Sequence, residues 1–310
     1  MSTIKLTKKD LKQIPDLPKD TTTLWLSYNN IEDLSPLEKL TELRILFLHN
    51  NPVRDISPLH KLKKLKTLNL GNTPVKDISV FKQLDLSYLG LGYTNVIDLS
   101  PIEHFSKLRD FGIPFTNISD ISVLKNHVHL KNLRAFNTNI SDISSLSNIS
   151  SLERVRIEHN NIEDITPLQK NINLVNLRFH FNSIHDISIL KNFTKLDWLN
   201  ISHNVIEDIS SVKNLNELKT FQCCNNNIKD ISPISFKPKL KFLNISNNPI
   251  EQIACLQKLS DMTHLDMKET LVTDLSHLRK FNKLEYLGLE YNRLNHYYSI
   301  KNLERLNDIV

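Results

Sequence analysis

Apolar and polar positions repeat along the chain with a period of 22 residues. In the stretch LFLHNNPVRDISPLHKLKKLKT, residues 46–67, two leucines flank a variable residue, and an asparagine and an Asp-Ile-Ser-Pro-Leu segment follow. The same order returns along nearly the whole chain, with one step of 21 residues between Leu68 and Leu89. The thirteen copies begin their apolar pairs at Leu24, Leu46, Leu68, Leu89, Phe111, Leu133, Val155, Leu177, Leu199, Phe221, Leu243, Leu265 and Leu287. This regularity indicates a repeat array, which grows as one elongated domain because each repeat packs only on its neighbours.

Each repeat contains the signals of a strand, a corner and a short helical turn. The L-x-L segment alternates apolar and variable residues, as a strand with one buried face does. The asparagine that follows, replaced by threonine in five repeats, can satisfy backbone groups of the turning chain with its side chain. In the Asp-Ile-Ser-Pro-Leu segment, serine as N-cap and proline at the first helical position favour a short helical turn. A repeat of this size cannot bury its own apolar side, so the strands are expected to align as one long parallel sheet over a shared core.

The two ends of the array depart from the pattern. Residues 1–23 keep the apolar positions but read IPDLP in place of DISPL, which predicts a divergent N-terminal repeat or cap. Residues 24–303 hold the thirteen repeats. From about residue 295 the sequence HYYSIKNLERLNDIV drops the Asp-Ile-Ser-Pro pattern, as a C-terminal cap should, and residues 304–310 are predicted to form a tail.

The period and the order of conserved residue types within a repeat resemble the leucine-rich repeat family. The resemblance is strongest to the 22-residue repeats of bacterial internalins and of phosphatase-1 regulatory proteins, and it covers about residues 4–303. It implies an α/β leucine-rich repeat solenoid, a curved horseshoe with one long parallel β-sheet on its concave face and short helical or 3-10 turns on its convex side. It also implies protein binding, although members of the family bind many unrelated partners.

Composition narrows the location and the class of partner. No apolar run approaches the roughly 20 residues that a membrane span requires, and residues 1–23 lack the apolar segment of a secretory signal. The three cysteines, Cys223, Cys224 and Cys255, show no disulfide framework. A cytoplasmic monomer without a membrane partner is therefore predicted, with export by a non-classical route as an open alternative. The net charge of +5 allows an acidic partner.

One face of the predicted sheet carries unusual residues. When the first residue of each apolar pair is counted as position four, side chains at positions three, five, seven and eight point away from the core, and we call this surface the outer sheet face. All five glycines of the chain lie on it, including Gly90 and Gly112 in neighbouring repeats, together with Trp25, Phe47 and Trp198. Glycine within a strand indicates either close approach of a ligand or relief of crowding beside aromatic residues, and both explanations stay open. Exposed aromatic residues among polar ones are typical of the centre of an interface.

Arginine occupies position five in three successive repeats, as Arg134, Arg156 and Arg178. Like charges at strand spacing repel each other, and Glu158 alone offsets them among the facing residues of these repeats. We hypothesise that this ladder receives an acidic segment of a partner protein, because a planar guanidinium pairs bidentately with carboxylates. The alternative is a solvated cluster that salt screens. The other predicted binding residues around the ladder are Phe136, Arg154, His159, His180, Phe181 and Trp198.

Catalytic and metal-binding patterns do not accompany this face. His159 and His203 share one column, but two strands place them roughly 10 Å apart, too far to share an ion that is ligated at about 2 Å. The repeated aspartates, such as Asp33 and Asp55, precede each helical turn and are interpreted as structural. No phosphate-binding loop, zinc-protease pair or nucleophile elbow occurs in the sequence. We expect no enzymatic activity, no cofactor and no metal ion.

Three classes of function follow from these features. The first is a scaffold, adaptor or regulatory subunit that binds a partner protein on the concave face. The second is a secreted or injected internalin-like protein that binds a host molecule, which needs an export route. The third, a nucleic-acid binder, is disfavoured because Asp266, Glu269 and Glu290 make the face acidic toward its end. Mixed charge suits a folded protein better than the uniform phosphate backbone of a nucleic acid.

Overall fold

The structure, a computed structural model, describes residues 2–259, 261–294, 303, 308 and 309. The chain forms two compact units, Met1–Leu152 and Glu153–Val310, which we call the first and the second unit. Both are built from the same sequence of elements, a short strand followed by a corner and a 3-10 turn. Most of the C-terminal cap predicted from about residue 295 lies outside the described residues. The single elongated domain and the boundaries of cap, repeats and tail remain predictions.

Parallel strands in sequence order form the sheet of the first unit, and its described residues contain seven of them. Their bounds are β1 (Ser2–Lys5), β2 (Thr21–Trp25), β3 (Ile45–Phe47), β4 (Thr67–Asn69), β5 (Tyr88–Gly90), β6 (Asp110–Gly112) and β7 (Asn132–Arg134). The register pairs each buried leucine with its equivalent in the next repeat, as with Leu46, Leu68 and Leu89. The parallel sheet predicted from the L-x-L segments is confirmed, and β1 shows that residues 1–23 contribute a strand to it.

The described part of the second unit continues the same pattern with eight parallel strands. They are β8 (Arg154–Arg156), β9 (Asn176–Arg178), β10 (Trp198–Asn200), β11 (Thr220–Gln222), β12 (Phe242–Asn244), β13 (His264–Asp266), β14 (Tyr286–Gly288) and β15 (Asp308–Ile309). The last strand lies within the predicted tail and pairs with β14, Leu287 opposite Ile309. A terminal strand that covers the edge of the last repeat is what a capping segment should supply.

Short 3-10 helices follow the strands, as the resemblance implied. In the first unit they are Ser35–Lys39, Ser57–Lys61, Ser79–Gln83, Ser100–Ile102, Ser122–Asn126 and Ser144–Asn148. In the second unit they are Thr166–Leu168, Ser188–Asn192, Ser210–Asn214, Ser232–Ile234, Ala254–Lys258 and Ser276–Leu278. Each buries an apolar residue under the sheet, for example Leu59 and Leu190. Among the described residues, no helix is long and apolar enough to cross a membrane.

The 3-10 turns begin with a different cap from the one predicted. Ile56 is the N-cap residue of the helix Ser57–Lys61, and its side chain makes no capping hydrogen bond. The carboxylate of Asp55 instead accepts hydrogen bonds from the backbone N–H of Ser57 at 2.8 Å and from its hydroxyl at 3.0 Å. The prediction of serine as the cap is therefore wrong, because an aspartate two residues earlier offers two acceptor oxygens, and serine donates its backbone N–H to one and its hydroxyl to the other. The interpretation of the repeated aspartates as structural is confirmed.

Asparagine side chains connect neighbouring repeats inside the core. The amide of Asn204 donates to the carbonyls of Ile201 at 3.0 Å and of Phe179, in the preceding repeat, at 3.1 Å. Its oxygen accepts from the backbone N–H of Ile184 at 3.0 Å. Thr94 occupies the same place in its repeat. Within the described residues, its side chain donates one hydrogen bond, to a carbonyl of its own repeat at 2.7 Å. The predicted role of the asparagine is confirmed, and threonine performs only part of it.

The repeat of 21 residues has one residue fewer between Leu84, which follows its 3-10 helix, and the next buried leucine, Leu86. Leu40 and Leu62, which follow the helices of the two preceding repeats, have ψ values of 53° and 59°. Leu84 at the same place in the short repeat is extended, with ψ at 166°. An extended residue spans more distance than a turned one, so the chain reaches β5 with one residue fewer. Leu84 and Leu86 both stay buried, and the register of the sheet is unchanged.

Candidate functional site

Position eight of every repeat has an unusual backbone conformation. In all thirteen repeats this residue has a φ between 50° and 62°, in the left-handed region. Asparagine tolerates this region better than bulky side chains do. Asparagine occupies five of the positions, whereas tyrosine or phenylalanine occupies another five. The aromatic residues at position eight are Tyr28, Tyr93, Phe115, Phe181 and Tyr291, and all of them are exposed.

Position eight in the repeat assigns these aromatic residues to the outer sheet face, but the sequence pattern does not predict their strained backbone. Strand alternation describes positions three to seven and carries no information about the corner that follows them. The available signal was the recurrence of asparagine at position eight, as in Asn50, Asn72 and Asn225, because asparagine is the common substitute for glycine at positive φ. A bulky residue in a strained backbone conformation, at a position where asparagine would cost less conformational free energy, points to a functional role.

A row of position-five residues in the first unit contains a gap. The register aligns Asn69, Gly90, Gly112 and Arg134 across four neighbouring strands, β4 to β7. The two glycines project no side chain between Asn69 and Arg134, and the side chains of these two residues partly cover them, so both glycines are buried. This gap is part of a recess of about 420 Å³, which we call the glycine recess. Its lining consists of His49, Asn50, Asn69, Gly71, Asn72, Tyr88, Gly90, Gly92, Tyr93, Gly112, Pro114 and Arg134.

Crowding explains some of these glycines and not others. A Cβ atom added to Gly92 would lie 2.7 Å from a ring carbon of Pro114, so a side chain at this position would collide. A Cβ atom on Gly90 would lie 3.0 Å from Oδ1 and 3.2 Å from Cγ of Asn69, and one on Gly112 would lie 3.3 Å from Nε of Arg134. Gly92 therefore relieves crowding, whereas positions 90 and 112 could hold a side chain after small movements of Asn69 and Arg134.

Arg134 and the neighbouring tyrosine form one wall of the glycine recess. The Nη2 atom of Arg134 donates to the hydroxyl of Tyr88 at 3.4 Å, and the guanidinium carbon lies 5.7 Å from the centre of the tyrosine ring. Within the part of the chain that the structure describes, no carboxylate forms an ion pair with Arg134. The cation is thus held in place by an aromatic ring while its charge is not neutralised.

Stacked rings lie on both sides of the glycine recess. Tyr93, at its rim, stacks on Phe115 with ring centres 4.3 Å apart and planes 15° apart, and Phe136 meets Phe115 edge-on at 5.5 Å. In the other direction along the position-five row, Trp25 stacks on Phe47 at 4.3 Å. The structure therefore brings the predicted binding residues of the first unit onto one surface around the glycine recess.

In the second unit the two arginines of the predicted ladder have different partners. Arg156 donates two hydrogen bonds to Oε1 of Glu158, at 2.6 Å and 2.9 Å, and Glu158 is only 3% exposed. The Nε atom of Arg178 donates to the amide oxygen of Asn176 at 3.2 Å, and its guanidinium lies 4.6 Å from the centre of the Trp198 ring. Burial, and then the charge of Arg156, lowers the pKa of Arg178.

We call Arg156, Glu158, Arg178, His180 and Trp198 the basic cluster. Three of its buried polar atoms have no hydrogen-bond partner among the described residues, namely Oε2 of Glu158, Nδ1 of His180 and Nε1 of Trp198. An unsatisfied buried polar atom costs about 1–3 kcal/mol. The basic cluster therefore carries an internal cost that the chain does not compensate by itself. Arg154, also predicted as a binding residue, is exposed and lies 3.9 Å from the carboxylate of Glu153.

Three aromatic rings stack beside the basic cluster. The ring of Phe181 lies between the imidazoles of His159 and His203, with ring centres 4.2 Å and 3.8 Å away. His180 contacts His159 edge-on at 5.5 Å. Burial, and then the charges of His159 and Arg178, lowers the pKa of His180 to about 4, so His180 is neutral at pH 7. The expectation that these histidines bind no metal ion remains a prediction.

The comparison with known proteins agrees with the repeat geometry. The model of the family described as Leucine Rich repeats (2 copies) matches residues 22–59, 41–83, 128–170 and 216–260. The crystal structure of an internalin (inlF) from Listeria monocytogenes is 30% identical, covers 92% of this chain and 85% of that chain, and has a TM-score of 0.89. The chain belongs to the leucine-rich repeat family. Its repeats are of the internalin-like, 22-residue type that the sequence predicted. A comparison with curated proteins finds no significant match.

Two further leucine-rich repeat structures share the fold at lower identity. The functional domain of InlJ from Listeria monocytogenes is 22% identical over 93% of this chain and 62% of that chain, with a TM-score of 0.76. The ectodomain of the membrane receptor kinase GASSHO1/SCHENGEN3 from Arabidopsis thaliana, in complex with CASPARIAN STRIP INTEGRITY FACTOR 2, is 20% identical. It covers 94% of this chain and 38% of that chain, with a TM-score of 0.81. Leucine-rich repeat folds of this kind are typically protein-binding scaffolds or receptors.

Proposed function

We propose that this leucine-rich repeat protein is a scaffold whose basic cluster receives an acidic segment of a partner protein. The observation that carries the proposal is the unequal pairing of two adjacent arginines. Glu158 neutralises Arg156, whereas no described carboxylate pairs with Arg178. A carboxylate supplied by a partner would complete the basic cluster.

The environment of Arg178 favours a carboxylate over other acceptors. Its guanidinium is partly desolvated and lies beside a second cation, Arg156, so its charge is destabilised in the free protein. The guanidinium lies over the ring of Trp198, 4.6 Å from its centre, and a planar guanidinium binds a carboxylate with two parallel hydrogen bonds. Partly buried arginine and tryptophan are also the residue types that contribute most to binding at protein interfaces.

The wider outer sheet face of the second unit supports a protein partner over a nucleic acid. Phe181 exposes 41% of its surface next to the basic cluster, and apolar rings suit a folded protein or a peptide. Acidic residues follow in later repeats, including Asp266 and Glu290, and a phosphate backbone would be repelled there. Binding of RNA or DNA with a steep salt dependence would contradict the proposal.

Selection from a displayed library of random peptides tests the proposal directly. The full chain is immobilised, bound peptides are sequenced, and the wild type is compared with Arg178→Glu. Arg178 is the better target, because reversing Arg156 would leave the buried Glu158 beside a second negative charge. Lys239→Glu serves as a matched control, since it makes the same charge change at an exposed lysine that pairs with Glu217.

We expect the wild type and Lys239→Glu to enrich peptides with runs of several aspartate and glutamate residues, and Arg178→Glu to lose the peptides with such runs. Circular dichroism and thermal unfolding should show that both variants fold like the wild type. Equal enrichment by all three proteins would contradict a role of the basic cluster in acidic-segment binding.

A second candidate function is an internalin-like binding protein that acts outside its cell. The similarity to internalin inlF, at 30% identity over 92% of this chain, favours it. Both candidates use the same outer sheet face and differ in location. Detection of the protein in culture medium, compared with the cell fraction and with a cytoplasmic marker, separates them. Retention in the cell fraction would support the cytoplasmic scaffold.

A further inference from the structure

The glycine recess of the first unit is a second binding surface, with a chemistry different from that of the basic cluster. We propose that it binds an aromatic side chain of an extended partner segment in which a carboxylate residue lies next to the aromatic one. The aromatic ring would lie in the recess beside Gly90 and Gly112, where no side chain projects from either strand, and the carboxylate would pair with Arg134. This inference concerns a different surface from the basic cluster, and either proposal can fail alone.

The floor of the glycine recess is suited to a flat ring. Gly90 and Gly112 lie opposite each other on β5 and β6, and either position could hold a side chain after small movements of its neighbours. Glycine within a strand destabilises it relative to a residue with a side chain, and it often marks close approach of a ligand. The recess volume of about 420 Å³ lies within the range of ligand pockets, about 300–1,000 Å³. Because neither glycine projects a side chain into the recess, it has room for a bulky group from outside.

The rim of the glycine recess retains a strained aromatic residue. Tyr93 has a φ of 58° and is 55% exposed, although Asn72 shows that asparagine serves in the same conformation one repeat earlier. Tyr93 stacks on Phe115, which has a φ of 55°. Two adjacent bulky residues at positive φ make the surface costly for folding alone, and exposed stacked rings provide contact area for an aromatic partner side chain.

The positive charge of Arg134 in the glycine recess indicates that the bound segment also carries a carboxylate. Arg134 lines the recess, is oriented by Tyr88, and forms no ion pair with a described carboxylate. A single guanidinium matches a single carboxylate, whereas phosphorylated motifs are usually bound by clusters of arginines. The recess is therefore complementary to an aromatic residue with a neighbouring aspartate or glutamate.

The surroundings favour an extended peptide segment over a free small molecule. The position-five row continues from Asn69 to the stacked pair Phe47 and Trp25. On the other side, Phe115 and Phe136 continue the aromatic surface beyond Tyr93. A chain that places one side chain in the recess can contact both stacks, and each contact adds affinity that an isolated residue cannot obtain.

A peptide selection on the Arg178→Glu chain isolates this site. The Arg178→Glu chain lacks the cation on which the basic cluster depends. The peptides that it enriches are therefore expected to bind to the first unit. We expect 12-residue random peptides to be enriched in an aromatic residue with aspartate or glutamate within two positions. The tightest peptide is then synthesised, and its Kd is measured by isothermal titration calorimetry on the same background.

Three added substitutions test the parts of the site. Gly90→Leu fills the recess and should weaken binding at least tenfold. Arg134→Gln should weaken binding of the peptide but not of its version with the acidic residue replaced by the amide. Tyr93→Asn should weaken binding while leaving the midpoint of thermal unfolding unchanged or higher, so its effect cannot come from unfolding. Tyr291→Asn, the same exchange in the second unit, is the matched control and should leave the Kd unchanged.

Absence of aromatic and acidic enrichment on the Arg178→Glu chain would overturn the inference, whatever the outcome for the basic cluster. Undiminished affinity in both the Gly90→Leu and the Tyr93→Asn chains would also overturn it. If the dipeptide N-acetyl-phenylalanyl-aspartate binds as tightly as the selected peptide, the rest of the peptide adds no affinity. The proposal of an extended partner segment would then be wrong.

Discussion

Arg156 and Arg178 occupy equivalent positions on neighbouring strands, yet their neighbours give them different roles. The buried carboxylate of Glu158 neutralises Arg156, and removal of the arginine would leave a buried carboxylate without its cation. Arg178 is stacked on Trp198 and leaves its charge available. At the scale of single residues, the chemical type of a side chain therefore does not determine whether it stabilises the fold or binds a partner. The identity of its nearest neighbours does.

His180 should make stability depend on pH. Its pKa in the folded chain is about 4, compared with an ordinary value of 6.5, so the unfolded chain takes up a proton first as pH falls. The stability contributed by neutral His180 is present above pH 6.5 and is lost as pH falls from 6.5 toward 4. Thermal unfolding at pH 7 and pH 4.5 should show a larger decrease in Tm for the wild type than for His180→Gln. Equal decreases would contradict this prediction.

Lys237 occupies a core position that leucine fills in other repeats, for example at Leu62 and Leu215. It is 1% exposed, burial lowers its pKa, and its ammonium donates to the carbonyl of Lys213 at 2.7 Å. Replacing this desolvated charge by an apolar side chain should stabilise the chain by about 1–2 kcal/mol. Chemical denaturation of Lys237→Leu measures the change. Lys239→Leu, at an exposed site, should change stability by less than about 0.5 kcal/mol, and equal effects of the two substitutions would contradict the prediction.

At the scale of elements, the corner between strand and 3-10 turn holds neighbouring repeats together. Asparagine at this corner bonds both to its own repeat and to the preceding one, as Asn204 does. Threonine bonds within its own repeat, as Thr94 and Thr116 do. The first unit has threonine at four of these corners and therefore depends more on apolar packing between repeats. The side chain at the corner, more than those in the strand, therefore provides the polar side-chain contacts between neighbouring repeats.

Removal of an asparagine link should cost more than removal of a threonine. Asn204→Ala breaks four hydrogen bonds and leaves buried backbone groups unsatisfied, so we expect a loss of about 2–4 kcal/mol. Thr94→Ala breaks one hydrogen bond, and the expected loss is about 1 kcal/mol. Amide hydrogen exchange should also show faster exchange of the N–H of Ile184 in Asn204→Ala. Similar losses in the two variants would contradict the proposed bridging role.

At the scale of the whole molecule, stability and binding compete for the same positions. Position eight is at positive φ throughout, and every bulky residue there costs more than the asparagine found in five repeats. The aromatic residues at this position are exposed, so their packing within the core does not compensate the cost. Each unit has aromatic residues at position eight. In the first unit they lie near Arg134 and in the second unit near Arg178, and neither arginine has an ion-pair partner among the described residues. A surface of this composition is expected of a binding protein.

Combined replacement of strained aromatic residues should stabilise the whole chain. Tyr28, Tyr93 and Tyr291 belong to non-adjacent repeats, so the effects of Tyr28→Asn, Tyr93→Asn and Tyr291→Asn should add. About 1 kcal/mol for each relieved position gives about 3 kcal/mol in total. Thermal unfolding of the triple variant, compared with the three single variants, measures this gain. A lower Tm for the triple variant would show that the rings contribute to folding.

The sequence by itself determined the repeat, its parallel strands, the short helical turns and the structural role of the aspartates and asparagines. These features depend on residues that recur every 22 positions, and contacts between equivalent residues of adjacent repeats need no further information. The repeat also showed which side chains leave the core. For the same reason, Trp25, Phe47, Gly90 and Gly112 could be assigned to one face before any coordinates were known.

Only the tertiary structure decided how the outward residues combine. It showed that aspartate caps the turns, that Glu158 selects Arg156, that Phe181 separates His159 from His203, and that position eight is strained. These outcomes depend on competition among several neighbours for one side chain and on backbone angles at a corner. A residue pattern specifies the face on which a side chain lies, but the partner it chooses there depends on the geometry of all its neighbours at once.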